Sequence, residues 1–324
     1  MKKIITILIV FILSVTAVSG CADQKSQEKV NKTGFLFDTV VTITLYGDNK
    51  EQLLEECFNI GAEYEQLLSR TIETSEISQI NNANGVPVTV SDDTLELLQK
   101  GISYCELSGG VFDITIAPAS SLWDFKTDQP ALPDANKLAE AISHVDYRTI
   151  HIDGNQVWLE DPDASIDLGG IAKGFIADKL KEYLISKGET SAIINLGGNI
   201  QSIGVKPDGS KYQFGIQYPF KLQGEVIEAV SVEDSSMVSS GIYERYFRID
   251  DTMYHHILDP ATGYPVENNL LSVTILSPLS VDGDGLSTTC YALGLEKGME
   301  LINRLDGIEA VFITDDYKLH YTYK

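Results

Sequence analysis

The pattern that most constrains the fold is the clustering of short strand-like segments in the C-terminal third of the chain. In these segments β-branched and aromatic residues alternate with polar ones, which is the period of a strand with one buried face. The predicted strands are residues 212–217, 225–232, 243–249, 271–276 and 309–314. Two predicted helices interrupt them, residues 285–293 and 297–304. Strands that pair as neighbours around few helices predict an α+β fold with mainly antiparallel sheets and packed helices.

The preceding part of the chain mixes helix and strand patterns without an internal repeat. The predicted helices are residues 49–69, 94–108, 134–143 and 174–187, and the predicted strands are residues 39–46, 149–152, 156–159 and 191–195. Neither the G-x-x-x-x-G-K-[ST] loop nor the G-x-G-x-x-G fingerprint occurs in the sequence. The P-loop and dinucleotide-binding folds therefore lose their main support.

The N-terminal segment has the composition of an export signal. Lys2 and Lys3 precede an apolar run, residues 4–15, that is shorter than the roughly 20 residues needed to span a bilayer. The following Val18-Ser-Gly-Cys21 is similar to the lipobox of bacterial lipoproteins, and the alternative is an ordinary secreted protein with an incidental cysteine. We therefore expect residues 1–20 to be a lipoprotein signal peptide and Cys21 to carry a lipid.

The segment after this signal is polar, and residues 21–33 are predicted to be a flexible tether. Residues 34–324 form the predicted folded body, which is large enough for one domain or for two α/β subdomains. We expect the protein to be exported and lipid-anchored to a bacterial membrane, on its extracytoplasmic face. The sequence leaves open whether that membrane is the inner or the outer one.

The net charge limits the kinds of partner that the chain can bind, and the cysteine spacing indicates the state of its thiols. The chain has 24 Lys and Arg against 47 Asp and Glu, a formal net charge of −23, which opposes binding to nucleic acid and makes membrane attachment depend on the lipid. Cys57, Cys105 and Cys290 are widely spaced and match no metal-finger pattern, so buried thiols are favoured over a disulfide framework. One pairing among them is left open.

Three segments in the second half of the chain combine glycine with carboxylate, hydroxyl or imidazole groups. They are residues 165–174, 255–265 and 282–289. Glycine lets the backbone approach a bulky anionic ligand, and the oxygen atoms of Asp and Thr are hard donors that suit a magnesium ion bridging phosphates. The sequence therefore predicts one shared site for nucleotide phosphate chemistry.

The order and spacing of these and two further motifs resemble the ApbE family of FAD:protein FMN transferases. The matching motifs are Asp167-Leu-Gly-Gly-Ile-Ala-Lys-Gly174, Asn195-Leu-Gly-Gly-Asn199, Ser239-Ser-Gly241, His256-Ile-Leu-Asp-Pro-Ala-Thr-Gly-Tyr-Pro265 and Asp284-Gly-Leu-Ser-Thr288. Upstream, Phe37-Asp-Thr39 and residues 112–123 are similar to the family's amino-terminal motifs. Where the family commonly has Met-Gly-Thr, this chain has Phe37-Asp38-Thr39. The resemblance covers residues 34–324.

This resemblance implies a fold and an activity. It implies a T-fold-related α+β architecture, with FAD as the substrate and Mg²⁺ as the cofactor. It further implies that FMN is transferred from FAD to a threonine or serine hydroxyl of an acceptor flavoprotein through a phosphoester bond, with release of AMP. The implied acceptor is a subunit of a membrane redox complex. The identity of this acceptor, the number of metal ions and the oligomeric state are not determined by the sequence.

The resemblance also implies roles for individual residues. Asp284 and Thr288 would bind the metal through their side chains and Ala172 through its carbonyl group. The implied catalytic residues are Asp284 and His256, and the imidazole would take the proton of the acceptor hydroxyl. The implied cofactor-binding residues are Thr39, Trp123, Asp167, Gly169, Gly170, Lys173, Asn195, Gly197, Gly198, Ser240, Gly241, His256 and Ile257.

Structural alternatives remain for the charged residues. Asp284 could cap its own helix, a position where Asp is common. His256 could be a packed histidine bonded to the Asp259 turn, and Lys173 could cap the glycine-rich turn from the surface. Asp282 is predicted to be a solvated loop carboxylate, with a second-metal ligand as the alternative.

Core packing or turn geometry would also explain Thr39, Trp123 and Asp167. Two other functions fit the same motifs. An FAD pyrophosphatase would use the metal site and water to give FMN and AMP, and a non-catalytic lipoprotein would bind FAD without turnover. The presence of Asp284 and His256 favours chemistry over storage, but it does not separate water from a protein hydroxyl as the nucleophile.

Overall fold

The computed structural model describes residues 28–322 of the chain. The helices in this range are α1 (Glu51–Leu68), α2 (Glu76–Asn81), α3 (Asp92–Ser108), α4 (Ala117–Ser120), α5 (Ala135–Ile142), α6 (Ala172–Ser186), α7 (Ser280–Leu293) and α8 (Leu295–Ile302). The strands are β1 (Lys29–Leu36), β2 (Thr39–Tyr46), β3 (Val88–Thr89), β4 (Ile150–Asp153), β5 (Gln156–Leu159), β6 (Ser191–Leu196), β7 (Asn199–Gly204), β8 (Tyr212–Gln217), β9 (Val226–Val232), β10 (Ser236–Gly241), β11 (Tyr246–Ile249), β12 (Thr252–His255), β13 (Leu270–Ser277), β14 (Glu309–Thr314) and β15 (Leu319–Tyr321).

An eight-stranded sheet organises the structure. Its strand order is β1-β2-β6-β7-β10-β13-β14-β15, and every neighbouring pair is antiparallel. The central strand β13 is buried along nearly its whole length, with Val273 and Ile275 fully inaccessible to solvent. Helix α7 packs against β10 and β13, while α6 packs against α7 and β7. The sheet therefore supplies a fixed base for the two helices that carry the candidate site.

Three small sheets surround this core. They pair β5 with β3 and β4, β8 with β9, and β11 with β12. A second, smaller apolar cluster lies beside the β11–β12 hairpin, and its buried members are Ala119, Trp123, Leu138, Phe247 and Leu258. The predicted α+β fold with mainly antiparallel sheets is confirmed. The division of residues 34–324 into two subdomains stays a prediction.

The predicted tether is wrong for its last residues. The tether was predicted for residues 21–33, but β1 begins at Lys29 and pairs in register with β2, with Lys29 opposite Tyr46 and Leu36 opposite Thr39. The strand KVNKTGFL was missed because it is polar on its exposed face, and edge strands often carry Lys. The residues before position 28, with the predicted signal peptide and Cys21, lie outside the described part of the chain.

Helix α7 begins five residues before its predicted start, at Ser280 instead of residue 285. Gly283 and Gly285 have low helix propensity, and this obscured the first turns. The structure gives a packing reason for both glycines. A Cβ atom at Gly283 would lie 2.7 Å from Val238, and one at Gly285 would lie 2.6 Å from the ring of Tyr104. Glycine therefore occupies both positions despite its low helix propensity, because a larger residue would collide with Val238 or Tyr104.

Two further observations concern the described residues alone. Cys57, Cys105 and Cys290 are buried free thiols, as predicted, and the open possibility of a pairing among them is not realised. No helix within residues 28–322 combines the length and the apolarity needed to cross a bilayer.

Candidate active site

The first turns of α6 and α7 are in direct backbone contact. A Cβ atom added at Gly174 would lie 2.7 Å from the Cα atom of Val281 and closer still to the carbonyl group of Ser280. Any larger residue at position 174 would push the two helices apart. This contact brings the glycine-rich segment 165–174 and the segment 282–289 together, as the sequence predicted.

The buried carboxylate of Asp284 lies at this junction. Its side chain is 6% exposed, and its Oδ2 atom accepts a hydrogen bond from the backbone N–H of Gly174 at 3.0 Å. The ammonium group of Lys173 lies 3.8 Å from the same oxygen. Oδ1 has no hydrogen bond to any residue within 28–322 and is available to a ligand.

The alternative in which Asp284 caps its own helix is wrong. Asp284 lies in the second turn of α7, four residues after the first residue of that helix, Ser280. Its carboxylate instead caps the neighbouring helix α6, whose own N-cap residue Ile171 makes no side-chain hydrogen bond. An anionic group is favoured at this position because the helix N-terminus presents free N–H groups and the positive end of the helix dipole.

Asp178 contributes a second carboxylate to this junction, and it was not predicted from the sequence. It lies four residues after Gly174 on α6, and its two carboxylate oxygens accept the backbone N–H groups of Ser280 at 2.8 Å and Val281 at 2.9 Å. Burial raises the pKa of Asp178 to about 6, even though the two N–H groups favour the charged form. The i, i+4 spacing of Gly174 and Asp178 was the signal that could have identified it.

Thr288 lies one turn after Asp284 on α7, so both side chains share one face of the helix. The Oγ1 atom of Thr288 is 3.0 Å from the Oγ atom of Ser240 on β10, which in turn is 2.8 Å from Oγ of Ser287. Gly241 follows Ser240, and a Cβ atom there would lie 2.5 Å from the ring of Tyr243. The predicted residues of β10 and α7 are therefore brought together.

The donors at this junction fit a magnesium ion. Ala172 is the first residue of α6, two positions before Gly174, and Asp284 and Thr288 supply a carboxylate and a hydroxyl oxygen from α7. The carbonyl oxygen of Ala172, the carboxylate of Asp284 and the hydroxyl of Thr288 are hard oxygen ligands of the kind that Mg²⁺ prefers. The free Oδ1 atom of the buried Asp284 carboxylate is the observation that supports this fit.

The prediction of Asp282 as a solvated loop carboxylate is wrong. Asp282 lies in the first turn of α7, where it accepts a hydrogen bond from the hydroxyl group of Tyr104 and forms an ion pair with Lys100 at 2.7 Å. Both partners belong to α3. Asp282 therefore fastens α7 to α3.

The glycine-rich turn before α6 is ordered by Asp167. One carboxylate oxygen accepts the N–H of Gly169 at 2.8 Å, and the other pairs with the guanidinium group of Arg70 at 3.0 Å. A Cβ atom at Gly170 would lie 2.9 Å from the ring of Phe112. These contacts account for Asp167, Gly169 and Gly170 through turn geometry, and their contact with a cofactor stays a prediction.

Lys173 caps the glycine-rich turn, and its contact with a phosphate oxygen stays a prediction. Its ammonium group donates to the carbonyl oxygen of Gly169 at 3.2 Å, as a turn-capping lysine would, and it also approaches Asp284. Its side chain remains 26% exposed. The group is thus held at the turn while keeping access to an anionic ligand.

A second group of predicted residues forms the β6–β7 hairpin. Gly197 and Gly198 make its two-residue turn with φ values of +62° and +98°, which only glycine adopts readily. The Oδ1 atom of Asn195 accepts the N–H of Gly198 at 2.9 Å. A Cβ atom at Gly197 would lie 2.6 Å from the Cγ2 atom of Thr39 on β2. The structure therefore joins these four residues into one cluster.

His256 follows β12 and is bonded to Arg245. Its backbone N–H and its ring atom Nδ1 both lie 3.2 Å from the carbonyl oxygen of Arg245. A carbonyl oxygen can only accept, so Nδ1 carries the hydrogen and the lone pair of the neutral ring is on Nε2. The alternative bond to the Asp259 turn is wrong, because Nδ1 is bonded to the carbonyl oxygen of Arg245 and no hydrogen bond joins the ring to Asp259 in the described part of the chain.

The charge state of His256 suits an acceptor of protons. Burial lowers the pKa of His256 to about 4, and the positive charges of Arg245 and Lys173 act in the same direction. The ring is therefore neutral near pH 7, with Nε2 able to accept a proton. His256 and Lys173 also lie close enough for this charge effect, which connects the histidine to the α6–α7 junction.

Arg245, whose carbonyl group is bonded to His256, was missed from the sequence. The guanidinium group of Arg245 forms no salt bridge with any residue in 28–322, and its charge, like that of Lys173, acts on Glu244 and on His256. Arg245 lies four residues after Gly241, the last residue of the Ser239–Gly241 motif. Its closeness to that motif was the available signal.

The structure places Trp123 and Ile257 in apolar cores. The ring of Trp123 stacks on Phe125 with centroids 5.6 Å apart, and its N–H donates to the carbonyl oxygen of Gly263 at 2.9 Å. Ile257 belongs to the main core and is 5% exposed. Packing therefore accounts for both residues, and their contact with a cofactor stays a prediction.

One cluster of possible metal ligands lies outside this site. The ligand atoms of His144, Asp161 and Asp163 lie within 4.8 Å of one another. The Nδ1 atom of His144 is 2.7 Å from Asp161 in an ion pair, and this interaction raises the pKa of His144. The ion pair alone accounts for the arrangement.

Comparison with known proteins identifies the family. The model of the ApbE family matches residues 37–312. The chain belongs to the ApbE family. Two curated relatives carry the name FAD:protein FMN transferase. The protein of Treponema pallidum (strain Nichols) is 32% identical over 330 residues, which cover 96% of this chain and 91% of the relative. The protein of Klebsiella pneumoniae (strain 342) is 34% identical over 282 residues, covering 86% and 87%.

Solved ApbE structures have the same fold. The crystal structure of the ApbE protein from Thermotoga maritima matches with a TM-score of 0.84 at 27% identity, over 91% of this chain and 97% of that protein. The flavin transferase ApbE from Vibrio cholerae matches with a TM-score of 0.82 at 27% identity, over 91% of this chain and 96% of that protein. The ApbE fold therefore extends over nearly all of the described chain.

The burial of His255 generates a prediction about pH and stability. His255 is 4% exposed, Nε2 is 3.1 Å from the carbonyl oxygen of Val266, and Nδ1 accepts the N–H of Ile257 at 3.3 Å. Burial lowers the pKa of His255 to about 4. The unfolded chain, with a histidine pKa of about 6.5, therefore binds the proton first as the pH falls. The stabilisation from neutral His255 is present above pH 6.5 and is lost between pH 6.5 and 4.

Replacing this residue by His255→Gln should remove that loss. We compare the fall in the free energy of unfolding between pH 7 and pH 4.5, measured by urea denaturation. This fall should be about 2–3 kcal/mol smaller in the variant than in the unmodified protein. The exposed His151→Gln serves as the control and should leave the difference unchanged. Equal pH dependence in His255→Gln and the unmodified protein would contradict the assignment.

Proposed function

We propose that this ApbE protein is a magnesium-dependent FAD:protein FMN transferase that moves FMN from FAD to a threonine or serine hydroxyl of an acceptor flavoprotein and releases AMP. The relatives that carry this name match it over most of their length. The single observation that carries the chemical part of the proposal is the junction of α6 and α7, where the buried carboxylate of Asp284 meets the N–H of Gly174. A catalyst of phosphoryl transfer works mainly by positioning and charge neutralisation, and this junction supplies both.

Asp284 and Thr288 would hold the metal through their side chains and Ala172 through its carbonyl group. A bound Mg²⁺ would neutralise charge on the FAD diphosphate and orient it. Asp284 is aligned for this role by its hydrogen bond to Gly174. Thr288 is aligned by its contact with Ser240.

Cations of the chain itself would add to this neutralisation. The protein has a net charge of −23, so a phosphate group meets mostly repulsive charge. Lys173 and Arg245 are exceptions, because both act on His256 and Arg245 has no salt bridge to any described residue. We assign these two groups to the phosphate oxygens of FAD.

His256 would accept the proton of the nucleophile. The hydroxyl oxygen of the acceptor forms a bond to the FMN phosphorus, the bond from that phosphorus to the bridging oxygen breaks, and AMP leaves with the bridging oxygen. The proton of the hydroxyl passes to Nε2 of His256, which is unprotonated in the assigned tautomer. The carbonyl group of Arg245 fixes the ring orientation.

The acceptor and the location belong to the same proposal. A flavin-carrying subunit of a membrane redox complex is the acceptor that the family resemblance implies. Attachment through a lipid on Cys21 would keep the enzyme at the extracytoplasmic face of the membrane, where such a subunit could be reached. The support for this location is the motif ending at Cys21, which follows an apolar run.

The decisive experiment separates transfer from hydrolysis. Purified protein without its signal peptide is incubated with FAD and Mg²⁺, with and without a flavin-acceptor domain, and the products are followed by in-gel fluorescence and chromatography. We expect covalent flavin on the acceptor and one AMP per flavin attached. Free FMN and AMP without labelled acceptor would identify a pyrophosphatase, and unchanged FAD would identify a binding protein.

Asp284→Asn should abolish transfer in this assay. The amide keeps the size of the side chain but lacks the negative charge that a hard cation requires, so we expect a rate loss of at least about 100-fold with a smaller loss of FAD affinity. Asp113→Asn is the matched control, because Asp113 is also a buried carboxylate that accepts backbone N–H groups, at Thr115 and Tyr147. A near-normal rate in Asp284→Asn would remove the metal assignment.

His256→Gln should slow transfer by about 10²–10⁴-fold while FAD binding is retained, because the amide cannot accept a full proton. The base works in its neutral form, and its pKa of about 4 means that the rate of the unmodified protein should stay high down to about pH 5. Arg248→Ala, three residues from Arg245 on β11, is the control. Unchanged turnover in His256→Gln would make His256 a structural residue.

Cys21→Ala tests the location. We expect the variant to be exported and active but released from the membrane fraction, because the lipid is the proposed anchor and the acidic protein has little attraction to anionic lipid. Fractionation followed by the transfer assay measures both properties. Retention of the variant in the membrane fraction at low and high salt would contradict the lipid anchor.

A further inference from the structure

We infer that Asp178 is a positioning residue that sets the geometry of the metal site, although it does not contact the metal. This inference rests on the proposed function. Its basis is a reciprocal arrangement at the α6–α7 junction, in which each helix supplies the carboxylate that caps the other.

The arrangement is nearly symmetric in sequence. On α6, Gly174 in the first turn donates to Asp284, and Asp178 follows four residues later. On α7, Ser280 in the first turn donates to Asp178, and Asp284 follows four residues later. Each aspartate therefore reaches the first turn of the opposite helix from the second turn of its own.

Neither helix supplies its own side-chain cap. The N-cap residues are Ile171 for α6 and Leu279 for α7, and neither makes a capping hydrogen bond. An apolar residue at this position leaves several backbone N–H groups without partners. The opposite aspartate binds some of them: Asp284 accepts the N–H of Gly174 in α6, and Asp178 accepts those of Ser280 and Val281 in α7 at 2.8 and 2.9 Å. The caps thus connect the helices to each other.

The proposed metal ligands are divided between the same two helices. Ala172 belongs to α6, whereas Asp284 and Thr288 belong to α7. A metal site works only when its ligands are held within about 0.5 Å of the productive geometry. Asp178 fixes the first turn of α7 against α6 and so fixes the distance between the two parts of the ligand set. Loss of its carboxylate would let that distance vary while every ligand remains present.

Burial makes this role specific. Asp178 is 7% exposed and lies beside an apolar core, so its charge is costly unless the N–H groups of Ser280 and Val281 bind it. Lys181 on α6 is also near Asp178 but pairs with Asp234 at 3.0 Å. The backbone of α7 is therefore the main partner of this carboxylate.

The test measures metal binding directly. Purified protein is titrated with Mn²⁺ alone, and free Mn²⁺ is followed by electron paramagnetic resonance. We expect Asp178→Asn to bind Mn²⁺ about 10–100-fold more weakly than the unmodified protein, the range found when supporting residues of a metal site are changed. In the transfer assay the Mg²⁺ concentration for half-maximal rate should rise by a similar factor. The rate at saturating Mg²⁺ should be largely recovered, unlike in Asp284→Asn.

Asp178→Asn is the decisive variant because it keeps the volume of the side chain and one acceptor oxygen, and Asp178→Ala is the second variant. The matched control is Glu189→Gln. Glu189 is a buried carboxylate paired with Lys50, and it lies beyond the far end of α6, about 20 Å from Ala172 by helix length. The control should be destabilised without a change in Mn²⁺ affinity.

The outcomes separate the two claims. The role of Asp178 would be overturned if Asp178→Asn bound Mn²⁺ within about twofold of the unmodified protein while Asp284→Asn bound it weakly. The proposed function would then remain intact. Absence of Mn²⁺ binding and of Mg²⁺ dependence in the unmodified protein would overturn the proposed function itself. An equal loss of affinity in Glu189→Gln and Asp178→Asn would show a general effect of stability and would also overturn the positioning role.

Discussion

The contact between the first turns of α6 and α7 is the constraint on which the rest of the site depends. Gly174 allows the two backbones to touch, and this contact lets Asp284 accept the N–H of Gly174 in the first turn of α6. The antiparallel sheet provides the base, since α7 lies on β10 and β13 and α6 lies on β7. Without a glycine at this position the helices would separate, and the carboxylate would lose both its partner and its place in the proposed ligand set.

The sequence predicted which segments meet at the α6–α7 junction better than it predicted their local structure. The spacing of Asp284 and Thr288 correctly placed both residues on one helical face, and the family resemblance correctly joined them to the segment before α6. The helix start was wrong, because Gly283 and Gly285 weaken the local helix signal while packing against Val238 and Tyr104 decides the structure. Tertiary contacts of this kind leave no periodic pattern in a single sequence, so they could not be predicted from it.

Polar residues were the other source of error. The tether prediction extended into β1 because its polar composition resembles a linker, whereas pairing with β2 makes it a strand. Asp178 was passed over because an aspartate on an amphipathic helix resembles a surface residue. Its actual role depends on the N–H groups of Ser280 and Val281, which lie about a hundred residues away along the chain. Only the folded structure brings such a donor and acceptor together.

The proposed function requires an acidic protein to bind an acidic ligand. The net charge of −23 would repel a diphosphate, but Lys173 and Arg245 act together on His256 at the site. Local charge, supplemented by a divalent cation, can therefore dominate over the charge of the whole molecule at short range.

The most direct measurement of the central claim is the position of a bound cation. Crystals soaked with Mn²⁺ and examined by anomalous diffraction should show a peak between the two helix N-termini, with Mn²⁺–oxygen distances of about 2–2.4 Å to Asp284 and Thr288. A peak confined to the cluster of His144, Asp161 and Asp163, or no peak near Asp284 at saturating Mn²⁺, would contradict the account.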